Sequence, residues 1–210
     1  DEGAHDLPPF HGGAVGYLAY DFGRRLERLP DPAVEEPVPE AVFGFYDTLV
    51  AFDHLENRVR LISTGRPERD DTGRRRRAQA RAELFLMRLD RPPRRASGRA
   101  RLDFRPTITR AEHEARVAAT IEHVLAGDIF QANLAQRFTA DLPSDFDALA
   151  FHGVLRAANP APFAAFLDFD EVTVASSSPE RFLEIRDGLV EARPIKGTAR
   201  RAEDPGEDVL

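Results

Sequence analysis

The sequence predicts an α+β fold, on three observations. Short runs rich in aromatic and β-branched residues, the mark of strands, recur in clusters. Longer segments with helical spacing stand between those clusters, one of them opened by a capping box and closed by glycine. The two kinds do not alternate regularly, which argues against a parallel sheet built from βαβ units. The 210 residues, 42% of them hydrophobic and 31% charged, have a globular composition and are enough for a substantial core.

Ala14 to Tyr20 reads as the first strand, opened by Gly12-Gly13 and closed by Asp21. A proline-rich loop, Pro30 to Pro39, separates it from Val42 to Phe52 and Arg58 to Ser63, a predicted hairpin with Asp53 to Asn57 as its turn. Arg74 to Leu89 is predicted as a helix with Ala80, Leu84, Met87 and Leu89 as its apolar stripe. Its Arg74 to Arg77 run, beside Asp70 and Asp71, reads as a solvated face rather than a nucleic-acid patch. Arg91 to Arg99 breaks all periodicity and is predicted as an internal linker.

Beyond it, Thr109 and Glu112 form a capping box, in which each residue's side chain satisfies the other's backbone amide. The helix they open presents Val117, Ile121, Val124 and Leu125 and stops at Gly127, a residue suited to the left-handed C-terminal position. Ile129 to Phe138 alternates as a strand, with Gln131 and Asn133 on one face, towards either a pocket or solvent. Ser144 is expected to cap a helix reaching Ala158. Phe163 to Phe169, Glu171 to Ser176 and Arg181 to Arg186 read as further strands, and Gly188 turns the last into Leu189 to Ile195.

Several function classes are disfavoured. A net charge of −7 disfavours a general nucleic-acid binder. The chain has no cysteine, hence no disulfide, thiolate metal site or thiol nucleophile. It has no run of 18 apolar residues, so no membrane span is expected, and no membrane partner. The expected compartment is the cytoplasm. His113-Glu114 opens like a zinc-protease helix, but Val117 stands where the second histidine would be. Gly12-Gly13 lacks the Gly-Lys-Ser/Thr of a phosphate loop and reads as a close approach to the sheet. Ser176-Ser177-Ser178 runs into proline, not into the glycine of a nucleophile elbow.

Three blocks remain. The first runs from Pro9-Phe10-His11-Gly12-Gly13-Ala14-Val15-Gly16-Tyr17 through Tyr20-Asp21 to Gly23-Arg24-Arg25. The second is Gly127-Asp128-Ile129-Phe130-Gln131-Ala132-Asn133-Leu134-Ala135-Gln136-Arg137-Phe138. The third extends from Asn159-Pro160-Ala161-Pro162-Phe163 through Ser178-Pro179-Glu180-Arg181-Phe182 to Arg193-Pro194-Ile195-Lys196-Gly197-Thr198. In this order and spacing the chain resembles the chorismate-utilising enzymes, component I of anthranilate synthase and of aminodeoxychorismate synthase. Pro-Ile-Lys-Gly-Thr is similar to the aminodeoxychorismate synthase branch, where anthranilate synthases read Pro-Ile-Ala-Gly-Thr. Isochorismate and salicylate synthases put a lysine at the position of Gln131, an amide that cannot activate water.

Read without the family, Lys196 stands between a strand end and Gly197, where a side chain can enter a pocket or simply lie in solvent. At pH 7 an ordinary lysine, with a pKa of about 10.4, is neutral in only about 0.04% of molecules. A nucleophilic role requires desolvation or neighbouring cations. Arg193, Arg200 and Arg201 are such cations, and they also suit a dianionic substrate. Glu180 precedes the Gly188 turn, and antiparallel pairing would bring it towards Lys196 as a proton-transfer group. A strand-end surface charge is the alternative. Lys196 is also the only lysine among 29 basic residues.

The resemblance implies more. It implies two β-sheets packed as a sandwich with flanking helices, truncated at both ends of this chain. Residues 1–90 would be the C-terminal part of the family's N-terminal region, 91–105 a linker, and 106–210 the first part of the chorismate-binding catalytic region. Lys196 would form a covalent adduct at C2 of chorismate with loss of the C4 hydroxyl. Ammonia from a glutamine amidotransferase, a subunit or a fused domain, would then give 4-amino-4-deoxychorismate, with Glu180 as general acid/base. Gly197, Thr198, Gln131 and Asn133 would line the substrate site. Mg²⁺ would be the cofactor, with its ligands mainly in a missing C-terminal part and none in this chain. Pro162 and Phe163 would be the remnant of a tryptophan site. The alternatives are anthranilate synthase component I, or a non-catalytic fragment of either enzyme.

Overall fold

A computed structural model describes residues 7–29, 38–90, 92 and 102–196. Contacts divide the chain into two units, Asp1–Arg95 with Ala161–Leu210, and Ala96–Pro160. The division read from the sequence has one cut, at 91–105. The structure has a second crossing after Pro160, because the strands that follow belong with the N-terminal ones.

In the first unit, β1 (Gly13–Leu18) pairs antiparallel with β2 (Ala41–Tyr46), from Gly13↔Tyr46 to Leu18↔Ala41. A 3₁₀ helix, Tyr20–Arg25, follows β1. The long strand expected over Val42 to Phe52 is in fact two. Asp47 interrupts it, and β3 (Thr48–Asp53) turns to a different partner, β4 (Arg58–Ser63). The break is fixed at Asp47 itself, whose carbonyl accepts from the Thr64 amide at 2.8 Å. Gly12 sits just before β1 at φ +135°, where a Cβ would lie 3.2 Å from the Tyr46 carbonyl oxygen. This is the close approach that the glycine pair predicts.

Helix α1 (Asp71–Leu89) starts earlier than its apolar pattern suggests, because Asp70 caps it by accepting from the Gly73 amide at 2.7 Å. The face that docks is also different. Leu84, Met87 and Leu89 are exposed, and the half-buried positions are Gly73, Arg77, Ala78, Ala82 and Phe85. Small alanines let the helix lie close to the β3–β4 hairpin, and arginines complete the contact. Arg81 donates to Asp47 Oδ1 from Nη2 at 2.8 Å, and Arg77 Nε lies 3.4 Å from Oδ2. Part of the arginine run is thus a docking face rather than a solvated one.

β7 (Phe163–Phe169) and β8 (Val172–Ser178) form a tight antiparallel hairpin, with Phe163↔Ser178 at its open end. The Tyr17 ring of β1 meets Phe169 of β7 at a centroid distance of 6.3 Å. The last hairpin pairs β9 (Glu184–Arg186) with β10 (Leu189–Glu191). Its two-residue turn, Asp187-Gly188, takes positive φ at both positions, the primed type that suits strand twist.

In the second unit the capping box forms as predicted. Thr109 Oγ1 accepts from the Glu112 amide, and Glu112 Oε2 accepts from the Thr109 amide at 2.7 Å. In chain order this unit carries β5 (Arg105–Pro106), α2 (Arg110–Ala126), β6 (Phe138–Thr139) and α3 (Ala148–Ala158). Gly127 ends α2 at φ 82°. The strand expected over Ile129 to Phe138 is confined to its end, where β6 pairs with β5. Residues 131–137 are irregular, because alternation alone cannot hold a strand without a partner ladder. Ser144 does not cap α3. Asp147 does, accepting from the Ala150 amide at 3.0 Å.

Among the described residues the strands make five two-stranded sheets, and no hydrophobic side chain is fully buried. One face of β1–β2 is open, with Leu18, Phe43 and Phe45 side by side on it.

Candidate active site

The candidate residues of the first unit follow β8. Ser178, the last residue of that strand, holds the bend after it. Its hydroxyl donates to the Glu180 carbonyl at 2.9 Å and accepts from the Glu180 amide at 3.4 Å. Glu180, half-buried, therefore stands on a clamped bend and not at the start of a strand as the sequence suggests, since β9 begins only at Glu184. The β9–β10 ladder is three pairs long and ends at Glu184↔Glu191. Continued outward, its register sets Glu180 opposite Ile195, the neighbour of Lys196. Lys196 is exposed, in an irregular segment that leaves β10.

Between these two residues lies a set of ion pairs. Arg181 contacts Glu184 and donates to Glu191 Oε1 at 2.7 Å, and its guanidinium lies 5.8 Å from the centre of the Phe163 ring. Arg193 reaches the same Glu191 carboxylate at 2.8 Å, and Arg186 reaches Glu184 at 3.0 Å. The Glu191 carboxyl is held below its ordinary range, first by the hydrogen bond from Arg193, with the charges of Arg193 and Arg181 adding to it against a desolvation penalty. Arg193 is thus engaged in an ion pair, whereas the sequence suggested it for substrate. Ser178, Arg181 and Glu191 were not singled out from the sequence. A serine two residues before the glutamate is a legible turn signal, but the Glu191 pairing depends on the hairpin register.

Pro162 lies in the turn before β7, and Phe163 opens the strand under Arg181. Gln131 and Asn133 belong to the second unit. Both are exposed on irregular chain, so they do not share a strand face. Gly197, Thr198, Arg200 and Arg201 lie outside the described residues, as do most of the proline-rich loop and the linker. Among the described residues no three His, Asp or Glu side chains converge as a metal site. No helix among them is long and apolar enough to cross a membrane.

The family model described as chorismate binding enzyme matches residues 2–210. Aminodeoxychorismate synthase component 1 of Klebsiella aerogenes is 37% identical over 207 residues, covering 98% of this chain and 43% of its own length. Anthranilate synthase component 1 of Thermus thermophilus is also 37% identical, over 204 residues, covering 97% of this chain and 43% of its own. Among solved structures, anthranilate synthase component I from Streptococcus pneumoniae is similar with a TM-score of 0.74 at 27% identity. That likeness covers 89% of this chain and 42% of that one. The chain thus spans less than half the length of these relatives.

Proposed function

Because the chain belongs to the chorismate binding enzymes, we propose that it is part of an enzyme that aminates chorismate at C4. The product is 4-amino-4-deoxychorismate, for p-aminobenzoate and folate synthesis in the cytoplasm. The observation that carries the reading is Lys196 within Pro194-Ile195-Lys196-Gly197-Thr198, in a chain that otherwise writes arginine. Arginine stays charged and cannot serve as a nucleophile at this position.

In this mechanism the free Lys196 amine bonds to C2 of the ring, the double bonds shift, and the C4 hydroxyl leaves as water with a proton from Glu180. Ammonia then bonds to C4, the double bonds shift back, and Lys196 departs from C2. The added nitrogen returns its extra proton to Glu180, so the enzyme ends as it began. The enolpyruvyl group stays intact. Gly197, Thr198, Gln131 and Asn133 are the proposed substrate-binding residues. A glutamine amidotransferase, separate or fused, is the proposed ammonia source. The proposed complete architecture is the two-sheet sandwich with flanking helices, to which the two-stranded sheets contribute.

One observation favours a second reading. Relatives from both branches match at the same 37% identity, so anthranilate synthesis, with ammonia added at C2 and pyruvate eliminated, is its competitor. Incubation of the full-length protein with chorismate and ammonium separates them by product. The expected product is 4-amino-4-deoxychorismate, abolished in Lys196→Ala. Fluorescent anthranilate without added lyase, or full activity in Lys196→Ala, would refute the first reading.

A further inference from the structure

Arg181 adjoins the proposed proton-transfer residue, and its partners lie where the Lys196 segment begins. We propose that Arg181, through Glu191, is a positioning residue that holds the Glu180 bend and the Lys196 segment in one arrangement. The inference rests on the roles proposed above for those two residues.

Arg181 follows Glu180 directly, and Glu180 is otherwise fixed by Ser178 alone among the hydrogen bonds described for this bend. Glu191 is the last residue of β10, and the five residues from it to Lys196 have no regular structure. A three-pair hairpin is too short to hold its own ends. The Arg181–Glu191 hydrogen bond of 2.7 Å closes that hairpin beyond its last ladder pair. Glu184, on the opposite strand, takes the other arm of the same guanidinium. Phe163, across the β7–β8 ladder from Ser178, lies beneath the guanidinium. One side chain thus ties the open end of β7–β8, the Glu180 bend and the base of the Lys196 segment.

Its setting separates it from an ordinary surface pair. The Arg181 side chain is 22% exposed, against 70% for Arg193 on the same carboxylate. A planar fork that meets two carboxylates cannot be replaced by a lysine point charge.

The test uses the full-length protein with chorismate and ammonium, measuring kcat, KM and thermal midpoint for Arg181→Lys, Glu191→Gln and the double variant. Misplacing reacting groups lowers kcat, so each single variant is expected to lose about tenfold or more in kcat. KM for chorismate should stay within about twofold, and the midpoint within about 2 °C. The double variant should fall no further than the worse single one, because the two residues form one tie. Unchanged kcat in both single variants, or kcat loss that only follows a lower midpoint, would overturn the proposal. Lys196→Ala is run alongside. A dead Lys196→Ala beside normal Arg181→Lys and Glu191→Gln overturns the positioning role alone, whereas an active Lys196→Ala removes the mechanism beneath it.

Discussion

Replacing Asp47 by Asn should loosen helix α1 without disturbing α2 or α3. Asp47 is 12% exposed and faces two arginines of α1, with Arg81 Nη2 at 2.8 Å and Arg77 Nε at 3.4 Å. A hydrogen bond to a charged group contributes about 1.5–3 kcal/mol. Arg77 and Arg81 are 38% and 43% exposed, however, so solvent screening reduces the pair to roughly 1–2 kcal/mol in total. Because α1 has no fully buried hydrophobic side chain, only half-buried ones such as Phe85, that amount is a sizeable share of what docks it. Local opening should then be about 5- to 30-fold more frequent. Hydrogen exchange of peptides covering 71–89, read by mass spectrometry at neutral pH, measures this directly. Glu114→Gln, which removes the exposed Arg110–Glu114 pair of α2, is the control expected to change little. Acid should imitate the substitution. Burial pushes the Asp47 carboxyl up, but the Arg81 hydrogen bond and the charges of Arg81 and Arg77 outweigh it, leaving the pKa below its ordinary 3.8. The sign follows: this stabilisation is complete above pH 3.8 and is lost as pH falls through the lower folded value. Unaltered exchange of α1 in Asp47→Asn would refute the clamp.

Two further substitutions probe backbone features. Gly65 adopts φ +67°, and a Cβ there would stand 2.1 Å from the Arg74 carbonyl oxygen. Gly65→Ala should therefore cost at least about 2 kcal/mol and speed α1 exchange more than Asp47→Asn does; exchange no faster than in the parent would refute that placement. Thr109→Ala removes one half of the capping box and should cost about 1 kcal/mol. Exchange at the first turn of α2 should accelerate about fivefold while the end near Gly127 stays unchanged. An unchanged first turn would show that the box contributes nothing.

Features set by neighbouring residues were the most legible in the sequence. The Thr109–Glu112 box, the Gly127 stop and the Gly188 turn stand where the pattern places them, because each is decided within a few residues. Features set by distant partners were not. Alternation over Ile129 to Phe138 cannot reveal that only Phe138–Thr139 has a strand to pair with. Nor can the aromatic run after Val42 show that Asp47 will send its two halves to different partners. The docking face of α1 departs from its apolar stripe for a related reason. Leucine and methionine dominate its apolar pattern, yet the docking face uses Ala78, Ala82 and two arginines whose partner is 30 or more residues away. The candidate site divides in the same way. Glu180 and Lys196 stand out as motif residues, whereas Arg181 and Glu191 acquire meaning only once the hairpin closes.

The open face of Leu18, Phe43 and Phe45 also has a colloidal consequence. Two-stranded sheets leave edges able to pair with another chain, and exposed apolar area favours that pairing. The opposing force in solution is electrostatic repulsion from a net charge of −7. That repulsion fades as pH approaches the isoelectric point expected from the sequence, about 5.4, where the charge falls to zero but the apolar surface remains. For this polypeptide in isolation, acidity and salt therefore govern whether molecules stay apart.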